Sequence, residues 1–126
     1  MKLIAMMVLL FLTNIHATVC AEVEVPQWVL SGILKVETRS YYKDGVIKYV
    51  DKRRGFHGER GCFQMTKIAF NQIKMRGEQF WMIETDRNFA ELCAKRYLVW
   101  LYNNSGKQDW YLTIQRYNVG PSKTSN

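Results

Sequence analysis

Ten apolar residues near the start of the chain, Leu3 to Leu12, set the limit on what the rest can build. Lys2 precedes the run, and a more polar stretch after it ends Thr18-Val19-Cys20-Ala21. A basic residue, a short apolar run and a small-residue ending are the three parts of a secretory signal peptide. Val19 and Ala21 stand at the positions a signal peptidase reads. A membrane-spanning helix needs roughly 17–25 apolar residues, so a retained anchor is the weaker reading. Cys20 raises lipidation, but Val19 is bulkier than the residue lipoprotein signals carry there. Removing residues 1–21 leaves 105, enough for one compact domain and too few for two. The expectation is an exported protein, periplasmic or extracellular, with residues 22–126 folding as one unit.

Charge narrows the partners. The chain holds 18 Lys and Arg against 11 Asp and Glu, and losing Lys2 leaves the mature protein at +6. A basic exported domain is drawn to anionic envelope surfaces. Lys52-Arg53-Arg54 beside Tyr41, Tyr42 and Tyr49 resembles a small nucleic-acid patch. Export argues against that partner, and short charge runs are usually solvated loops. Cys62 and Cys93 remain after cleavage. They either form a disulfide closing a loop of about thirty residues or sit as two small buried hydrophobes. His57-Gly58-Glu59 matches only the H-x-E half of a zinc-deaminase signature, and the C-x-x-C half is missing. No metal or cofactor is expected.

The pattern along the chain predicts mostly helix with one small hairpin. Pro26 suits the first turn of a helix running to about Thr38, because its missing N–H has no intrahelical partner there. Asp44-Gly45, flanked by β-prone residues within 40–50, is a hairpin signal. Residues 51–61 read as a loop. Thr66 caps a helix to about Met75 with Gly77 as the stop, and Trp81 to Thr85 is a short connector. An amphipathic helix from Asp86 to about Tyr102 places Phe89, Leu92, Cys93, Tyr97 and Trp100 or Leu101 on its core side. Asp109 caps a last helix, Trp110 to about Asn118.

Within the first helix Val29, Leu30, Ile33, Leu34 and Val36 recur at steps of three and four, and Glu37 falls on or beside that apolar face. A carboxylate there loses hydration, its pKa rises, and an acid still protonated near neutral pH serves as a general acid. Downstream lie Gly58-Glu-Arg-Gly61-Cys-Phe-Gln64-Met65, then Asn88 with Tyr97-Leu98, then Tyr117-Asn118-Val-Gly120-Pro121. Two glycines three apart allow tight turns, and Gln64 brings both a donor and an acceptor.

With Glu37 these segments resemble the lysozyme-like fold of the bacterial and phage lytic transglycosylases, relatives in fold of the goose-type lysozymes. The resemblance spans about residues 26–121. Family members carry a helix-ending catalytic Glu, usually followed by Ser, where this chain has Glu37-Thr38. Gly58, Gly61, Gln64 and Met65 match G-x-x-G-x-x-Q with its following apolar residue. Asn88 and Tyr97-Leu98 match the long helix, and Tyr117, Asn118 and Gly120 match Ala-Tyr-Asn-x-Gly, with Arg116 in place of the Ala. Many relatives continue beyond that motif into another helix.

The resemblance implies cleavage of the β-1,4 bond between N-acetylmuramic acid and N-acetylglucosamine in peptidoglycan. Glu37 acts first as acid and then as base, yielding a 1,6-anhydro product. It also implies that Tyr117 orients Glu37, that Gln64 and Met65 contact the sugar, and that Asn118 binds the glycan or orders the site. Gly58, Gly61 and Gly120 shape the backbone. Glu59, inside the glycine motif, is the candidate second acid, whose presence opposite Glu37 would make the protein a lysozyme-type hydrolase. A noncatalytic wall-binding assembly protein is the reading from another class. Basic residues around the groove would attract peptide-stem carboxylates. The expected partners are glycan strands and an envelope-spanning secretion, conjugation or phage machinery, with the protein a monomer.

Overall fold

The computed structural model describes residues 22–119. Residues 1–21, expected as a signal peptide, and Gly120 with Pro121 lie outside them. The described residues form a mostly helical domain with one small antiparallel hairpin, as expected.

Helix α1, Gln27–Thr38, follows Pro26, whose carbonyl accepts the amides of Val29 at 3.0 Å and Leu30 at 3.5 Å. Val29, Leu30, Ile33 and Leu34 are buried, whereas Val36 is 72 % exposed and does not join the core face. Val36, seven residues after the buried Val29, points to nearly the same side, so its exposure comes from its place near the C-terminal end of α1 and not from the helical period. Glu37, four after Ile33 and seven after Leu30, stays in line with the stripe at its C-terminal end and is half-buried. The helix ends on Arg39 in the left-handed conformation, φ 55°, with Ser40 N donating to Leu34 O at 3.1 Å. That closure is usually made by glycine.

Strands β1, Tyr41–Lys43, and β2, Val46–Lys48, pair with Tyr42 opposite Ile47. Asp44 and Gly45 both take positive φ, 51° and 73°, which a two-residue hairpin turn demands. Ile47 is buried, and the Tyr42 hydroxyl donates to Glu91 at 3.0 Å, so one hairpin face is fastened to the long helix behind it.

A buried hydroxyl joins the end of α1 to its surroundings. Thr38 Oγ1 lies 2.8 Å from both the Cys62 carbonyl and Ser40 Oγ. Ser40 Oγ in turn accepts the Val50 amide at 3.1 Å, and Thr38 O accepts that of Asp51 at 3.0 Å.

Helix α2, Lys67–Ile73, is capped by Thr66, whose side chain accepts the Ala69 amide. It stops short of Met75 because Lys74 is already extended, and the Met75 amide turns to the Glu78 carboxylate. Short α3, Met82–Thr85, leads into α4, Arg87–Asn104, capped by Asp86, which accepts from Asn88 and Phe89. Helix α5, Trp110–Val119, begins where Asp109 accepts the amides of Tyr111 and Leu112. Helices α2, α3 and α5 all pack on α4. Its buried residues are Ala90, Cys93, Ala94, Tyr97, Leu98 and Leu101, and Leu92 is exposed. No described helix is long and apolar enough to cross a membrane.

Candidate active site

The loop read from sequence as charged and solvated folds back on itself beside the end of α1. Gly55 N donates to Glu59 O at 2.9 Å, and Gly58 N to Gly55 O at 3.1 Å, with Gly58 at φ 77°. Arg60 and Met65 then exchange backbone hydrogen bonds at 2.9 and 3.0 Å, which closes a turn over residues 61–64. Gly61, φ 75°, starts that turn, and Gln64 ends it at φ 48°, a left-handed conformation uncommon for a residue with a side chain. Cys62, Phe63 and Met65 are driven into the core, where Phe63 alone is worth about 1.5–3 kcal/mol of burial.

The turn sets one wall of a cleft of about 480 Å³. Glu37 stands on its helix side, and Arg53, Arg54, Phe56, Glu59 and Gln64 surround it. Burial holds the Glu37 carboxyl above its ordinary value. The negative charge of Glu59 pushes in the same direction, and Arg53 pulls against both. Glu37 also occupies the C-terminal turn of α1, where unsatisfied carbonyls disfavour a second negative charge. The site therefore shifts a carboxyl facing a groove toward its protonated form.

Glu59 is held in that groove by the His57 amide, which donates to its Oε2 at 2.8 Å. A Cβ on Gly55 would collide with this carboxylate and with Gln64 Oε1, so the missing side chain makes room for both. Gln64 is 8 % exposed and uses its side-chain nitrogen to bind Arg53 O at 3.1 Å and Gly61 O at 3.0 Å. It ties the arginine loop to the turn while presenting its edge to the cleft.

Tyr117 reaches the same turn from α5, donating its hydroxyl to Phe63 O at 2.6 Å and packing against Tyr97 at 5.7 Å. Burial raises its pKa well above normal, with Glu37 the next contributor. Tyr117 thus sits near the acid and braces the segment opposite it.

Other expected site residues are placed elsewhere. Met65 is 2 % exposed and belongs to the core, because its pairing with Arg60 turns the side chain inward. Contact with a sugar is corrected to support from below. Asn118 is exposed and does not line the Glu37 cleft. Gly120 lies outside the described residues. Cys62 and Cys93 are free and buried, not joined in a disulfide. Burial pushes their thiols up to about 12 and about 11, which leaves them as unreactive packing groups. Among the described residues no group of three His, Cys, Asp or Glu side chains converges as a metal site.

Four cleft residues were not expected at the site: Arg53 and Arg54, read from sequence as part of a solvated basic run, with Gly55 and Phe56. Phe56 is 98 % exposed at the rim, with its ring edge-on to His57 at 5.1 Å. In the sequence its one mark is a lone aromatic within the Gly- and charge-rich stretch 51–61. Comparison with protein-family models, curated proteins and solved structures finds no match to the chain.

Proposed function

We propose that the protein is a peptidoglycan lytic transglycosylase. The observation that carries this reading is Glu37, a carboxyl at a helix end whose pKa burial raises, opening on a cleft walled by the Gly58–Gln64 turn. The protonated Glu37 donates to the oxygen linking muramoyl C1 to C4 of N-acetylglucosamine, and the C1–O bond breaks. Positive charge develops at C1, next to the carboxylate just formed. The C6 hydroxyl of the same muramoyl residue then bonds to C1 and returns its proton to Glu37. One carboxyl completes the cycle and no water is consumed. The exposed Phe56 ring offers a stacking face for a sugar, and Gln64 an amide edge. Export and local opening of the wall, alone or for an envelope-spanning machinery, belong to the same proposal.

Glu59 supports a second reading, because it lines the same cleft and its charge reaches Glu37. If it activates a water, the enzyme is a lysozyme-type hydrolase. Glu59→Gln separates the two. Under the transglycosylase reading activity survives, and the alkaline limb of its pH profile moves toward acid, because removing the neighbouring charge lets the Glu37 pKa fall. A collapse of kcat by about a hundredfold or more, with reducing-end products in place of anhydro ones by mass spectrometry, assigns Glu59 as the base.

A further inference from the structure

A second concavity, of about 330 Å³, adjoins the Glu37 cleft, and the two share Arg53 and Arg54. Tyr49, Lys52, Glu84 and Arg87 also line it, so four cations face one carboxylate. Glu84 is already engaged, accepting from Arg54 at 3.0 and 3.3 Å with Arg60 Nε at 3.3 Å. Arg53 is paired with Asp51 at 3.3 Å. Among the described residues neither Lys52 nor Arg87 has a carboxylate within ion-pair distance. The Lys52 ammonium lies 5.9 Å from the Tyr49 ring centre, and Arg87 Nη1 donates to Ile47 O at 2.9 Å. These contacts hold both side chains at the pocket without neutralising them. Like charges gathered in a concavity focus a positive potential, which an oxyanion relieves.

We infer that this pocket takes a carboxylate of the substrate, carried on a peptide side arm of the wall polymer while its glycan lies in the adjoining cleft. The identity of the occupant rests on the proposed function; the preference for an oxyanion rests on the pocket alone. Two unneutralised cations suit the one or two carboxylates of a short peptide, whereas a polyphosphate chain calls for a longer basic track.

The test compares intact peptidoglycan with glycan strands stripped of their peptides. The enzymes are wild type, the double variant Lys52→Gln/Arg87→Gln, and a control, Lys67→Gln, on the exposed start of α2. Wild type is expected to show the lower KM on intact polymer. The double variant should raise that KM about fivefold, leaving kcat and the stripped-strand KM unchanged, and Lys67→Gln should change neither. An equal loss on both polymers overturns the inference. Because Arg87 also supports Ile47, Lys52→Gln alone, with an effect of about twofold, carries the test if the double variant melts early. Binding of the free peptide, followed by NMR, needs no cleavage: wild type should bind and the double variant should not. Displacement of that peptide by inorganic phosphate more strongly than by acetate assigns the pocket to phosphate and overturns the carboxylate. If wild type cleaves neither polymer the proposed activity falls, and the binding measurement still decides the pocket.

Discussion

Glu37→Gln is expected to slow glycan cleavage by about 10²–10⁴-fold, the range a positioned general acid contributes. The amide keeps the shape of the side chain and cannot give up a proton. The same change should leave the domain at least as stable at neutral pH. Burial raises the Glu37 pKa in the folded state. The native protein therefore holds its proton more tightly than the unfolded chain does. The stability this group contributes is complete below the ordinary carboxylate value and is lost as pH rises through the raised one. Glutamine has no charge to desolvate, so the variant's advantage over wild type should grow across that window and then level off. Thermal melts at acid and neutral pH read it, and no growth between them removes burial from the account. Wall clearance by the variant at the wild-type rate would remove Glu37 from the acid's role, whereas no cleavage by wild type would leave a noncatalytic binding protein in place of the enzyme.

Gly61→Ala should be the most damaging small substitution outside the acid. Its φ of 75° costs a residue with a side chain about 1–2 kcal/mol. The added methyl would also stand 2.5 Å from Ile83 Cγ2 and 3.0 Å from the Ile83 carbonyl oxygen. Overpacking adds about 1–3 kcal/mol, for a loss of about 2–5 kcal/mol, or a drop in melting temperature of at least about 8 °C. Gly58→Ala is the internal control, since φ is similar at 77° but no atom lies within 4 Å of the new methyl. It should lose only the backbone term. Equal losses at both positions would show that contact with Ile83 does not matter.

The parts legible from the sequence are those decided within a few residues. Thr66, Asp86 and Asp109 cap their helices because each side chain reaches amides two or three positions on. Asp44-Gly45 makes its turn by its own backbone preference. The apolar stripe of α1 places Glu37 at the margin of the core with no help from the rest of the chain. Leu92 and Val36 were misplaced because periodicity finds a face but not its limits. On α4 three helices set those limits, and they select Ala90, Ala94 and Leu98 over Leu92. The arginine loop is solvated as its composition suggests, but its place at the cleft depends on Gln64, eleven residues beyond Arg53, and on Glu59 filling the space above Gly55. Those are long-range facts that composition does not carry.

The Thr38 hydroxyl has a consequence for how the cleft opens. The helix carrying the acid, the segment that follows the hairpin and the turn facing the acid all meet at that atom and its neighbour, Ser40. Surface loops ordinarily fluctuate open at little free-energy cost, independently of the elements they join. Here the amides of Val50 and Asp51 are held by the helix end itself. Withdrawing this wall from Glu37 means unfastening the end of the helix, so hydrogen exchange at those two amides is expected to follow the slow, cooperative unit of the core.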